Sequence, residues 1–246
     1  LFRSRSLTDE ALLYKLFGIN AELLIDHAWG WEPCTMEFIK TYRPETHSLS
    51  SGQVLQEPYT FAKARVVARE MADAVALDLV AKNLVADQLT LYIGYDHQSP
   101  KGEGENIVQD WYGRSVPRPA RGSVRLARFT SSSRLIVEAI VSLFDRIVDP
   151  KLLVRRITIG TYHVVPATPA DETPEAGTQL DLFTDLETQE RQRQKYQAEM
   201  DRERRMQEAT LAIKRKFGKN AILRGTDFEE GATARQRNRQ IGGHKA

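Results

Sequence analysis

Few residues in this chain have the types and spacing that catalysis needs. The five histidines, His27, His47, His97, His163 and His244, are scattered without metal-ligand spacing, and Cys34 is the one cysteine. No glycine-rich phosphate loop precedes a helix, and nothing points to a hydrolase triad. The segment that stands out is suited to recognition instead. Gln179-Leu180-Asp181-Leu182-Phe183 lies where there is no Lys or Arg between Arg156 and Arg191, and where Ala167 to Glu190 carries seven acidic residues broken by Pro169, Pro174 and Gly177. Low hydrophobicity, one sign of charge and helix breakers describe a linker. Apolar residues exposed on a tether serve to fill a partner's pocket. The same residues also suit the first turn of the helix that follows, and five residues alone do not decide between the two.

Charge patterning suggests a second recognition chemistry. The net charge is only +2, yet Gly113 to Arg156 holds ten Lys/Arg against three Asp/Glu, and Lys214 to Ala246 holds nine against three. Two basic blocks flanking an acidic tether suit a polyanion, most simply nucleic acid, although ordinary solvated surface gives the same counts. The 246 residues, 41% hydrophobic and 28% charged, suffice for one large domain or two small ones. A single cysteine excludes an internal disulfide and fits a reducing cytoplasm. No run of about 18 apolar residues suggests a membrane span, and no signal peptide is evident. The chain starts at Leu1 rather than Met, as expected of a fragment.

These groups need elements to position them. Thr8 to Phe17 reads as a helix capped by Thr8, and Asn20 to Trp29 as a second, capped by Asn20 and stopped by Gly30. So short a pair buries little alone and is expected to pack on something upstream, with Pro33 to Pro44 as a connection. His47–Leu55, Gln88–Tyr95, Ser123–Phe129 and Arg155–Val165 read as strands. Tyr59–Lys82 and Leu135–Ile147 read as amphipathic helices, the second capped within Ser131 to Ser133, and His97 to Arg121 as a long hairpin loop. The expected fold class is α+β, a ferredoxin-like β-α-β-β-α-β unit with both helices on one sheet face. By strand parity the open face then carries Ser123, Arg125 and Ala127 from the third strand and Arg156, Thr158 and Gly160 from the fourth. Small residues with a few guanidiniums suit close approach to phosphates, and large aromatics for base stacking are not expected there. Thr188 to Phe217 reads as a long charged helix with a solvated face, and the tail from Gly218 as flexible.

Several strings give the chain a family resemblance: Leu13-Tyr14-Lys15-Leu16-Phe17-Gly18-Ile19-Asn20, Ser48-Leu49-Ser50-Ser51-Gly52-Gln53, Thr130-Ser131-Ser132-Ser133-Arg134-Leu135 and Leu153-Val154-Arg155-Arg156-Ile157. In their order and spacing they resemble the C-terminal part of a Y-family lesion-bypass DNA polymerase of the bacterial pol IV and UmuC group. The ending, from Phe217-Gly218-Lys219 to Gly242-Gly243-His244, is similar to tails of such polymerases from Gram-positive bacteria. The resemblance implies the end of a helical thumb (1–34), a connection (35–46), a little-finger DNA-binding domain (47–166), an acidic linker with a clamp-binding motif (167–187), a charged helix (188–217) and a basic flexible tail (218–246). It implies contacts with duplex or primer-template DNA at Ser48, Ser50, Ser51, Arg125, Arg155 and Arg156, and more weakly at Arg128 and Thr130. It implies that Gln179, Leu180, Leu182 and Phe183 grip the bacterial sliding clamp, with Gln179 on the polar lip of the pocket and Leu182 and Phe183 on its floor.

The family's palm motif Ser-x-Asp-Glu does not occur, nor do its N-terminal Asp with paired aromatics, its fingers or the thumb's glycine hairpin. Magnesium is thus implied for the parent polymerase and no cofactor for this chain, which is expected not to polymerise DNA alone. It is either a fragment or the product of a truncated gene. The loop from His97 to Arg121 exceeds the minimal family pattern. Two other readings stay open: a non-catalytic clamp-binding adaptor, and an RNA-binding module. Exposed aromatics on the middle strands would mark the latter, and the third strand offers only Phe129, near its end.

Overall fold

The computed structural model describes residues 9–42, 48–100, 107–110, 112–168, 186–241 and 244–245. The segment from Gln179 to Phe183 lies outside the described residues. The chain divides into two compact units, residues 1–45 and 46–246, each taken here by itself.

The first unit holds α1 (Glu10–Phe17), α2 (Asn20–Ala28) and α3 (Met36–Thr41). Asp9, rather than Thr8, caps α1: its carboxylate accepts from the Ala11 N–H at 3.0 Å. Asn20 is the first helical residue of α2 and Ile19 its cap. The stretch expected as a plain connection forms α3 because the Thr35 hydroxyl accepts from the Phe38 N–H at 3.1 Å. Only Ala21 and Ala28 are buried among the described residues of this unit, while Leu16, Leu23, Trp31 and Phe38 stay exposed.

In the second unit the chain runs β1 (Ser48–Tyr59), α4 (Phe61–Ala81), β2 (Leu84–Tyr95), β3 (Ile107–Gln109), β4 (Ser115–Pro117), β5 (Ala120–Thr130), α5 (Ser133–Ile147), β6 (Val154–Tyr162) and β7 (Val165–Pro166). The main strands and helices therefore follow β-α-β-β-α-β. The stretch expected as an unbroken loop after His97 contains the β3–β4 hairpin. Across the sheet the order is β1-β6-β2-β5, with every pairing antiparallel and β7 extending β2. Both β-α-β units are thus split by a strand of the other, and the second and fourth strands of the motif take the centre, a placement chain order does not specify.

One face of the sheet is covered by α4 and α5. The α4 stripe Ala64, Val67, Met71, Val75 and Leu79 and the α5 stripe Ile136, Ile140, Leu143 and Phe144 meet Leu89, Leu91, Ile93, Ile157 and Ile159 in one continuous core. Phe61 and Phe144 pack with ring centroids 5.1 Å apart. Gly122 lets α5 approach the edge strand, since a Cβ there would lie 2.8 Å from Leu143 Cδ1. Ser132 caps α5, its hydroxyl accepting from the Leu135 N–H at 3.2 Å. No described helix is long and apolar enough to cross a membrane.

Helix α6 (Leu186–Phe217) is not solvated all round. Gln207, 3% exposed, donates to the Ser131 carbonyl at 2.9 Å and the Ser133 hydroxyl at 3.1 Å. The Glu203 carboxylate accepts from the Ser132 hydroxyl at 2.7 Å and the Arg134 N–H at 2.9 Å, placing an anion at the N-terminus of α5. The tail is not free either. Arg224 pairs with Asp73 through both carboxylate oxygens at 2.7 Å, and Lys63 pairs with Glu230 at 2.8 Å. Buried Glu70 accepts from the Thr233 N–H at 2.9 Å and the Ala234 N–H at 3.2 Å, at the start of the short helix α7 (Ala234–Arg237). Polar contacts hold both segments, which is why an apolar pattern search misses them.

Candidate nucleic-acid interface

The sheet face turned away from the helices is open, and the register lays it out as rows. Across β1, β6, β2 and β5, one row reads Ser48, Tyr162, Gln88 and Arg125, and the next Ser50, Gly160, Thr90 and Ser123. The third reads Gly52, Thr158, Tyr92 and Arg121, and the last has Val54, Arg156 and Gly94. Alternating burial along β5 agrees, with Arg121, Ser123, Arg125 and Ala127 exposed between Gly122, Val124 and Leu126.

Of the residues implied as DNA contacts, Ser48, Ser50, Arg125 and Arg156 share this face. Arg125 is 75% exposed but bonded at 3.1 Å to Asp87, whose other oxygen meets His163 Nδ1 at 3.0 Å. The other four are placed elsewhere. Ser51 falls between Ser50 and Gly52 in an alternating strand and turns to the helix side with Leu49 and Leu55. Arg128 lies within the register shift of β5 between Arg125 and Thr130, half-buried, with its guanidinium 4.4 Å over the Tyr196 ring of α6. Thr130 is 5% exposed, and its hydroxyl accepts from the Ser132 N–H at 3.0 Å in the turn into α5. Arg155 is the extra residue of a bulge: Gly94 pairs with Arg156 and Tyr95 with Val154, leaving Arg155 unpaired between them. Its guanidinium donates to the Gln56 carbonyl at 2.8 Å and lies 3.7 Å from Asp96, so it braces the strand end. Arg156 faces outward as strand parity expects, and the bulge instead turns Val154 into the core.

The face also carries two tyrosines where large aromatics were not expected, both on central strands. Tyr162 is 47% exposed, and Tyr92 is half-buried with the Arg121 guanidinium 5.1 Å from its ring. Glycines let both rings lie down. A Cβ at Gly160 would come 3.2 Å from the Tyr162 ring, and one at Gly94 3.6 Å from that of Tyr92. The parity that puts Leu89, Leu91 and Ile93 inside puts Tyr92 outside, so this residue was within reach of the sequence. Tyr162 and Arg121 were hidden because the strand ends were set too short or not followed.

Among the described residues no three His, Cys, Asp or Glu side chains gather where a metal ion could be held.

The family described as the impB/mucB/samB family C-terminal domain matches residues 46–182, more than half of the chain. The chain belongs to the impB/mucB/samB family. Residues 46–182 form the C-terminal domain of a Y-family polymerase, and three of the four strings that carry the resemblance, those at 48–53, 130–135 and 153–157, fall within them. Comparison with curated proteins gave no match. Among solved structures the chain is similar to one described as a complex of beta-clamp processivity factor and little finger domain of PolIV. The identity is 8%, the match covers 56% of this chain and 100% of the other, and the TM-score is 0.34. At that level the likeness adds nothing to the family assignment.

Proposed function

We propose that this chain is the DNA-gripping and clamp-tethering part of a translesion polymerase of the impB/mucB/samB family, acting in damage tolerance and repair. The observation that carries the reading is the open sheet face of the family domain. Its rows combine Ser, Thr and Gly with Arg121, Arg125 and Arg156, and a phosphate backbone can lie close to small residues with guanidiniums at its flanks. The pentapeptide at 179–183 supports the clamp contact, and the ending supports a parent from Gram-positive bacteria. Nucleotide insertion and its magnesium belong to palm elements that these 246 residues do not include.

Binding to a blunt duplex, followed by fluorescence anisotropy, tests the grip. Three guanidiniums each neutralising one phosphate give a log–log salt slope of about −2.7, or a loss of about 40-fold between 50 and 200 mM salt. Arg156→Ala should reduce that loss to about 12-fold and weaken all sequences alike. A loss confined to particular sequences would contradict phosphate binding. For the clamp, titration with purified bacterial sliding clamp should give binding that a Leu182→Ala/Phe183→Ala double variant abolishes. Absence of binding by the wild type would reduce the pentapeptide to a helix start. Tyr92 and Tyr162 on the central strands favour a second reading, recognition of single-stranded RNA. Single-stranded RNA outcompeting duplex DNA at equal phosphate would support it.

A further inference from the structure

The register of β2 leaves Asp87 at a junction. Gln88 pairs with Tyr162 of β6 and Val85 with Val165 of β7, so Asp87 falls in the gap between two ladders, with His163 next after Tyr162. On its other side the β2–β5 register shifts between Ala86 and Gln88, beside Arg125. Asp87 is 4% exposed, and both of its carboxylate oxygens are taken. Oδ2 accepts from Arg125 Nε at 3.1 Å and lies 3.1 Å from Arg125 Nη2, and Oδ1 meets His163 Nδ1 at 3.0 Å. The carboxylate is hidden, but its partners are not: the side chains of Arg125 and His163 are 75% and 56% exposed. They stand at the corner of the open face, at the row of Ser48, Tyr162, Gln88 and Arg125.

The corner is held in an uncommon backbone conformation. His163 takes a φ of 52°, in the left-handed region that a residue with a Cβ seldom adopts, and such residues persist where surrounding bonds hold them. The bond to Asp87 fixes Nδ1 inward and leaves Nε2 turned away from the carboxylate. Arg125 likewise gives Asp87 its Nε and Nη2 and keeps Nη1. Charge decides what such a corner binds. With His163 neutral, Asp87 cancels Arg125 and the cluster has no net charge. A proton on His163 gives the cluster one net positive charge and turns Nε2 into a donor beside the guanidinium. A phosphodiester keeps its single negative charge wherever histidine titrates, so it is attracted only to the protonated state. Asp87 faces the ring from β2, and Arg125 stands across that carboxylate on β5. β1 and β6 bring the hydroxyls of Ser48 and Tyr162. Among the described residues no other charged side chain bonds to Asp87, Arg125 or His163.

We infer that Arg125 and His163 form a phosphate subsite that fills only as His163 takes up a proton, and that buried Asp87 is its positioning residue. This rests on the reading of the open face as a DNA surface. It adds a dependence on pH that three permanently charged guanidiniums do not give. One proton is bound with the phosphate, so the association constant rises as pH falls, by at most about tenfold per pH unit.

The test is the salt dependence of blunt-duplex binding, by fluorescence anisotropy with the full chain, at about pH 6 and about pH 8, on either side of histidine's ordinary titration. With the subsite filled, three phosphates are neutralised and affinity falls about 40-fold between 50 and 200 mM salt; with it empty, two are neutralised and the fall is about 12-fold. The wild type should show the larger fall at the acid pH and the smaller at the alkaline one. His163→Asn keeps a side chain that tolerates left-handed backbone and can donate to Asp87 but does not titrate, and should give a fall of about 12-fold at both. Asp87→Asn removes the charge that cancels Arg125, and should raise the alkaline fall to about 40-fold and tighten binding there. Weaker binding by Asp87→Asn at both pH values would overturn its assignment as the positioning residue. The other histidines are common to all three proteins, and melting midpoints check that the variants are folded. A wild-type fall that is the same at both pH values, or a change that His163→Asn retains, would overturn the inference and leave the duplex grip standing. Failure of the wild type to bind the duplex at either pH would sink the open face as a DNA surface, and the subsite with it.

Discussion

Replacing Gln207 by Ala tests whether α6 is part of the folded unit or a solvated arm. The side chain is 3% exposed and donates two hydrogen bonds, to the Ser131 carbonyl and the Ser133 hydroxyl, in the turn that starts α5. Truncation leaves a buried carbonyl with no donor, which costs about 1–3 kcal/mol. Taking about 2 kcal/mol, and about 2–4 °C per kcal/mol for a unit of this size, the melting midpoint should fall by about 4–8 °C if α6 unfolds with the sheet. If α6 instead detaches locally, the midpoint moves less and amide exchange within α6 accelerates by about 30-fold, since each 1.4 kcal/mol is a factor of ten. Calorimetry and hydrogen exchange on the same sample cover both cases. Thr210→Ala serves as the control, because the Thr210 hydroxyl bonds only its own helix at Met206, 2.8 Å away, and should change stability by under about 0.5 kcal/mol. A variant with unchanged midpoint and unchanged exchange in α6 would refute the docking argument.

Other outcomes follow from the packing and charges. Gly122→Ala brings a methyl group to 2.8 Å from Leu143 and 3.1 Å from Ile147, and should destabilise the unit by about 1–3 kcal/mol in urea unfolding. Burial pushes the Glu70 carboxyl above its ordinary value, despite the opposing bonds from Thr233 and Ala234. A raised carboxyl pKa contributes stability that is fully present below the unfolded value of about 4.3 and lost as pH rises through the folded value. Unfolding free energies of Glu70→Gln relative to wild type should therefore shift in favour of the variant as pH is raised from about 4, and a flat difference would refute it. Hydrogen bonding from Arg65 holds the Asp145 carboxyl below its ordinary value. That contribution is present above about pH 4 and lost as pH falls through the folded value, so Asp145→Asn should flatten the acid limb of the stability curve.

The fold was readable where apolar periodicity is strong. The stripes of α4 and α5 and the alternation of Leu89, Leu91 and Ile93 in β2 follow directly from side chains that must leave water. What parity delivered on β5 it could not deliver at Val154, which shares the parity of Arg156 but is turned into the core by a one-residue bulge at Arg155 that leaves no trace in composition. Arg128 and Thr130 were misplaced for a related reason: one turns under Tyr196 of a helix some seventy residues away, and the other closes a turn. The α6 seam consists of Glu203, Arg204 and Gln207, polar groups whose periodicity carries no hydrophobic signal. Strand order was not readable either, since the same element sequence permits several sheets.

That strand order has a consequence for how the chain comes into being. Among the described residues β1 pairs with β6 alone, and β6 also separates β1 from β2. As the chain leaves the ribosome, β1 must wait for a partner about a hundred residues behind it, a delay of roughly 5–20 s at ordinary synthesis rates. Through that interval β2 and β5 can pair as a local hairpin while β1 cannot, so the serine-bearing edge of the open face is the last part of it to exist. The nascent domain spends its early life as a strand without a sheet, polar enough along Ser48, Ser50 and Gly52 to remain in water until β6 arrives.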